Sequence, residues 1–198
     1  MNLRERVIYG LGAFILTATA TAGCRSPEEN LPSGYTRRVC NNISASFPAP
    51  SEWHIKEEQG GETRACFITK ERIISGGVYE TGFSVNAIPG ISRKRNMSAS
   101  EFARKFAREV GGQNSNPEER YKPPFRFYQE VATVSVPQLG RSSRVIYAGV
   151  GNDEADLAYL ITFEAPVSNW SSNEGIGRVM IGGARFNPKF SGTLQSPK

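Results

Sequence analysis

The sequence predicts an α+β fold, an antiparallel β-sheet covered by helices. Three observations predict it. Several segments alternate apolar and polar residues with a period of two, as half-buried strands do. One segment, Ser98 to Val110, repeats its apolar residues every three to four positions, as a helix does. The order is strands, helix, strands, helix, which lays helices on a sheet rather than interleaving them with parallel strands.

In chain order, Tyr35 to Pro50 holds a first strand, in which Ile43, Ala45 and Phe47 alternate with polar residues before Pro48 and Pro50 end the run. Trp53 to Glu57 alternates again, and Gly60-Gly61 makes a turn. Glu62 to Arg72 then places Cys66 and Ile68 on one face and Ala65 and Phe67 on the other. These three strands read as an antiparallel meander. Gly76-Gly77 is a bend or bulge before the strand Gly82 to Ile88, in which Phe83, Val85 and Ala87 face one way.

The helix that follows begins with a capping box, Ser98 and Glu101, each taking one free N–H of the first turn. Phe102, Phe106 and Val110 form its apolar stripe with Ala99, Ala103 and Ala107 beside them, and Gly111-Gly112 stops it. Arg126 to Val136, Ser143 to Val150 and Leu157 to Glu164 are three further strands, the last two joined by the polar turn 152–156. Ser171 or Ser172 caps a second, glycine-rich helix with Ile176, Val179 and Met180 on its apolar side, and Phe186 docks the chain end. Residues 111–124 and the tail from Pro188 to Lys198 read as loose segments, and no internal repeat is visible.

A hydrophobic content of 38% with 22% charged residues fits an ordered globular chain. The net charge of +5 is mildly basic. By itself that is no signature of nucleic-acid binding, and nucleic acid is not an expected partner.

Val7 to Cys24 is the chain's long apolar run. Arg4 and Arg6 precede it, and it ends in Thr21-Ala22-Gly23-Cys24. This is the tripartite layout of an export signal. It resembles a bacterial lipoprotein signal, in which the cysteine sulfur receives a diacylglycerol, the peptide is cut before it and the new amino terminus is acylated. Thr21 stands where that pattern usually has Leu. A plain cleaved signal and an uncleaved anchor are the alternatives; the run of roughly 16–17 apolar residues is short of the about 20 that span a bilayer. The lipoprotein reading divides the chain into a signal peptide over 1–23, a polar tether over 24–34, one α+β domain over 35–187 and a flexible tail over 188–198. It places the protein on a membrane facing the periplasm, a thylakoid lumen or the cell exterior.

The chain has three cysteines. With Cys24 lipidated, Cys40 and Cys66 remain as an even pair in an oxidising compartment. A disulfide between them closes a loop of about 26 residues, which the chain-entropy estimate values at about 3–4 kcal/mol. Unpaired buried thiols are the alternative.

Little in the chain points to catalysis. His54 is the sole histidine and reads as a surface or half-buried strand residue, since one imidazole without partners makes a poor metal or acid–base site. Metalloprotease, nucleophile-elbow and phosphate-loop motifs are missing, as is a CxxC pair. No cofactor is expected. Asp153, Glu154 and Asp156 offer oxygen ligands to a divalent cation, or form a solvated hairpin tip. Arg93, Lys94 and Arg95 lie near Arg104, Lys105 and Arg108 in sequence and give a basic patch suited to anionic lipid or an acidic protein, or a plain solvated helix face. Tyr121, Phe125, Phe127 and Tyr128 read mainly as core.

The element order resembles the PsbP-like family. The residues that carry the likeness are Phe47-Pro48 followed by Trp53, the helix Ser98 to Val110 after a strand, and Tyr159 to Pro166 with Trp170, ending at Phe186. The resemblance covers about residues 35–187. It implies an α-β-α sandwich, shared with a Ran-binding nuclear import factor, and a non-catalytic role. Family members assist assembly or stability of photosystem II on its lumenal side, and cyanobacterial members are often lipid-anchored. The two cysteines inside the domain and the glycine-rich last helix depart from the pattern.

The resulting expectation is a lipid-anchored binding or assembly module with a protein partner, photosystem II subunits being the first candidates. A secreted hydrolase with a dispersed site and an envelope lipoprotein of unrelated role are the competing readings. Mass spectrometry of the mature amino terminus is expected to find an acylated Cys24. An unacylated terminus at another residue would refute it.

Overall fold

The computed structural model describes residues 30–73, 79–111, 115–136 and 141–192. The export segment with Cys24, most of the tether, Gly76-Gly77, Gly112 and the last six residues lie outside them.

Ten strands form two antiparallel sheets. The larger contains β3 (His54–Gly60), β4 (Thr63–Thr69), β5 (Gly82–Pro89), β6 (Glu118–Lys122), β7 (Phe125–Val136), β8 (Arg141–Asn152) and β9 (Leu157–Pro166). Its spatial order is β3-β4-β5-β9-β8-β7-β6. One row of paired residues crosses it: Glu57, Cys66, Val85, Ile161, Ala148, Gln129 and Glu118. The smaller sheet is β1 (Tyr35–Cys40), β2 (Ala45–Pro50) and β10 (Arg185–Phe186), in the order β1-β2-β10.

The small sheet and α3 (Trp170–Gly182) cover one face of the large sheet, and α1 (Ile91–Arg95) and α2 (Ala99–Gly111) cover the other. The α+β class with an antiparallel sheet between covering layers is therefore present. The main core lies under the small sheet, where Phe47, Phe83, Tyr159, Ile161 and Phe163 are fully buried. Burying such side chains stabilises by about 1.5–3 kcal/mol each, before the entropy of ordering them.

The three-strand meander is corrected. The β3–β4 pair is antiparallel as read, but β2 leaves for the other sheet, and residues 35–50 are two strands rather than one. Asn41 to Ile43 form a 3-10 turn, and Ser44 adopts a left-handed φ of 49°, so the chain doubles back. The turn at Pro50 then separates β2 from β3, with the Trp53 N–H bonded to the Pro50 carbonyl at 3.1 Å.

The β1–β2 turn is clamped to the large sheet. Cys40 and Cys66 form the disulfide, so the bridge joins the two sheets rather than two strands of one. The Tyr159 hydroxyl donates to the Ile43 carbonyl at 3.1 Å inside the core. Asn42 Nδ2 donates to the carbonyls of Ala65 and Glu58, and the Glu57 carboxylate accepts from the N–H groups of Asn41 and Asn42 at 2.9 Å.

The two tryptophans quoted for the resemblance meet at one ring. Trp53 lies parallel to Phe163 with centroids 6.4 Å apart, and Trp170 tilts against it at 6.2 Å. Helix α3 has room there because Gly177 faces Phe163; an added Cβ would lie 2.4 Å from the ring. Gly177 thus permits the packing of α3, whereas Gly175 and Gly182 face open space and only lower its intrinsic helicity. Its N-cap is Asn169, without a side-chain cap bond, and not Ser171 or Ser172.

Helix α2 is also re-read. Ala99, Ala103 and Ala107 are its buried face, whereas Phe102, Phe106 and Val110 are half-buried. Gly149 and Gly151 of β8 lie beneath it, and a Cβ on Gly149 would stand 2.2 Å from the Ala103 carbonyl oxygen. Small residues on both sides bring helix backbone onto strand backbone, leaving the phenylalanines to flank the contact.

Two stretches read as loose carry structure. Glu118 to Lys122 pair with β7 as an exposed edge strand. At the chain end Phe186 docks as expected, its ring 4.5 Å from that of Tyr159. Beyond it Phe190 is buried too, and Asn152 Nδ2 donates to the Pro188 carbonyl.

Replacing Gly149 by valine forces helix and sheet apart. A loss of about 1–3 kcal/mol or more is expected in urea unfolding.

Candidate functional site

The basic residues singled out in the sequence sit on α1 and α2. Arg93, Lys94, Arg95, Arg104, Lys105 and Arg108 are all exposed. Both helices pack on the outer face of the large sheet through Ile91, Ala99 and Ala158. Helix α1, missed in the sequence because it is barely longer than one turn, is what aims the first three cations outward.

The acids of the β8–β9 turn hold this layer in place. Asp153 Oδ1 accepts the Ser100 N–H at 2.7 Å, and Ser98 Oγ accepts the Glu101 N–H at 3.1 Å. Half of the capping box is therefore made as read. Asp153, from a distant turn, satisfies a second free N–H, that of Ser100, and its negative charge also complements the helix dipole. Asp156 accepts from the Ser92 N–H at 2.8 Å and from Ser92 Oγ at 2.7 Å, and its carbonyl accepts the Gly90 N–H. The acidic turn is thus a docking point for two helices. Among the described residues no group of three His, Cys, Asp or Glu side chains is placed to hold a metal ion. Asp153, Glu154 and Asp156 do not converge on one point, because two of them are directed at different helices.

The cations differ in how they are engaged. Lys94 pairs with Glu62 and donates to the Pro89 carbonyl, and Lys105 pairs with Glu109 at 3.7 Å. The Lys94 hydrogen bond and charge hold the Glu62 carboxyl below its ordinary range, with Arg93 adding to the pull. Arg93, Arg95, Arg104 and Arg108 enter no hydrogen bond or ion pair among the described residues.

Behind α1 a cleft of about 490 Å³ opens at one end of the large sheet. The β3–β4 turn, the β5–α1 turn, the β8–β9 turn and the segment Ser191-Gly192 form its walls, and Arg64 and Arg93 line it. Sequence reading missed Arg64. The signal was present: Arg64 shares the inward face of β4 with Cys66 and Ile68, a cation on an apolar stripe.

The other candidates fall elsewhere. His54 is exposed on the edge strand β3, away from any metal-binding group among the described residues. The aromatic group divides: Phe125 and Tyr128 are buried and Phe127 is half-buried. Tyr121 is 60% exposed, with the Arg126 guanidinium 4.8 Å from its ring centre.

No protein-family model matches the chain, and no curated protein matches it. Among solved structures it is similar to a Bacteroides thetaiotaomicron protein, with 13% identity and a TM-score of 0.47, over 78% of this chain and 49% of that one. The chain thus spans about half the length of that protein. It is similar to the cyanobacterial PsbP of Synechocystis sp. PCC 6803, with 11% identity and a TM-score of 0.48, over 80% of this chain and 96% of that one. It is also similar to the Ran-binding protein Mog1p of Saccharomyces cerevisiae, with 9% identity and a TM-score of 0.44, over 76% and 94%. Each likeness is one of chain path.

Truncating Asp153 to alanine removes a helix cap. A loss of about 1 kcal/mol, within the 0.5–2 range of such caps, is expected in urea unfolding.

Proposed function

We propose that this chain is exported and lipid-anchored through Cys24, and that its α+β domain serves as a non-catalytic binding or assembly module at a membrane surface. The observation that carries the reading is the buried Cys40–Cys66 disulfide. Structural disulfides persist outside the reducing cytoplasm. This one sits at the junction of two sheets, where its loss would loosen both.

The sequence supports the anchor. Each buried acyl methylene contributes about 0.8 kcal/mol, and two or more chains make a stable hold. Arg95, Arg104 and Arg108 then present unpaired positive charge on the α1–α2 layer, suited to an acidic partner protein held beside the membrane. The PsbP-like resemblance of the sequence makes photosystem II the first complex to look for.

The test is membrane fractionation followed by affinity capture. The native chain is expected in the membrane fraction, and Cys24→Ala in the soluble one. Partners captured from gently solubilised membranes are expected to fall at least tenfold with the combined Arg95→Glu, Arg104→Glu and Arg108→Glu variant. A native chain that is cytosolic, with free thiols at Cys40 and Cys66, would overturn the proposal.

A further inference from the structure

We infer that the cleft behind α1 is a binding site for a phosphate-type oxyanion, with Arg64 and Arg93 as its principal ligands. The inference stands independently of the anchor and of any protein partner.

Arg64 lies opposite Ala87 on β5 and Gln59 on β3, at the end of the inward face of β4. Its guanidinium is 5.9 Å from the centre of the Phe190 ring, which holds it by cation–π contact. Nε and Nη1 are buried and meet no acceptor among the described residues. A guanidinium drawn partly out of water without an acceptor is destabilising. An oxyanion seated in the cleft supplies acceptor atoms and opposite charge to that guanidinium.

Arg93 lines the same cleft, and Lys94 lies beside the lining residue Gly90. Gly90 lies between β5 and α1 with φ of 70°. Where its Cβ would stand, Arg93 Nη2 is 3.4 Å away, Lys94 Cε 3.6 Å and Lys94 Nζ 3.9 Å. A side chain at this position would be strained in the left-handed region and would crowd both cations. The carboxylates of the cleft are already engaged, Glu62 with Lys94 and Asp156 with Ser92. Among the described residues Arg64 enters no ion pair, and Arg93 acts on Glu62 by charge alone, without a hydrogen bond or ion pair.

Two guanidiniums suit a phosphoryl group, which offers more acceptor oxygens than a carboxylate and at least one negative charge. The volume of about 490 Å³ is that of a small-molecule site rather than a macromolecular groove. The phosphoryl group can come from a free phosphate or from a phospholipid headgroup.

Calorimetric titration of the full chain separates these sources, using inorganic phosphate and the deacylated headgroup of phosphatidylglycerol as probes. Saturable one-to-one binding of at least one is expected. Tighter binding of phosphate identifies a free anion as the ligand, and tighter binding of the diester identifies a headgroup. Arg64→Met is expected to weaken binding at least tenfold and Arg93→Gln at least threefold, with Lys105→Gln unchanged. Methionine keeps a sulfur–aromatic contact with Phe190 and removes the unpaired charge. The Tm of Arg64→Met without phosphate is therefore expected to equal or exceed that of the native chain, while added phosphate raises only the native Tm. Should Arg64→Met fail to fold, the exposed Arg93→Gln decides the matter. Absence of saturable binding by both probes, or binding that neither variant alters, would overturn the inference.

Discussion

The turn from Cys40 to Ile43 is the contact on which the two sheets depend. Four kinds of bond end on it: the disulfide to Cys66, the Tyr159 hydroxyl on Ile43, the Asn42 amide on β3 and β4, and the Glu57 carboxylate on two backbone N–H groups. Together they set the height of the small sheet over the large one. The last described residues follow from that height, because the Asn187 N–H bonds the Ser44 carbonyl and β10 pairs with β2. With the segment after β10 held there, Phe190 reaches Arg64 and Gly192 closes one wall of the cleft. A loop closed by a bridge across 26 residues therefore influences a surface feature on a distant part of the chain.

On the other face of the large sheet the controlling factor is size. Alanines on α2 and glycines on β8 allow backbone to approach backbone. The tight approach fixes which helix positions remain outside, and those positions carry Arg104, Lys105 and Arg108. Acids from the β8–β9 turn secure the first turns of α1 and α2. The same carboxylates that suggest a cation site in the linear sequence instead accept helix N–H groups. Their charge is spent locally, so the layer they hold keeps its positive character.

Much of the strand and helix content was legible because it depends on residues two to four apart. The alternation of Phe83, Val85 and Ala87, and that of Cys66 with Ile68, reports burial directly, and these residues are fully buried. The helix from Ser98 was marked by its cap and its period. The face it buries was less legible, since a stripe of phenylalanine outweighs a stripe of alanine in any hydrophobic reading. Gly149 and Gly151 lie on β8, with β6 and β7 between it and α2 in the chain, so their bearing on that choice could not be seen locally. Helix α1 was too short for a period, and β6 is exposed at every position, which removes the alternation that marks a strand.

By itself the sequence determined the α+β class, the pairing candidates Cys40 and Cys66, and which residues could form a basic group around the helix from Ser98. These rest on composition and short-range pattern. Only the tertiary structure decided that the disulfide joins two sheets, that the acidic turn caps helices, and that Arg64, Arg93 and Gly192 share a cleft. Such juxtapositions depend on strand register and on backbone approach between distant segments. The amino-acid order encodes both only through the packing of the whole chain.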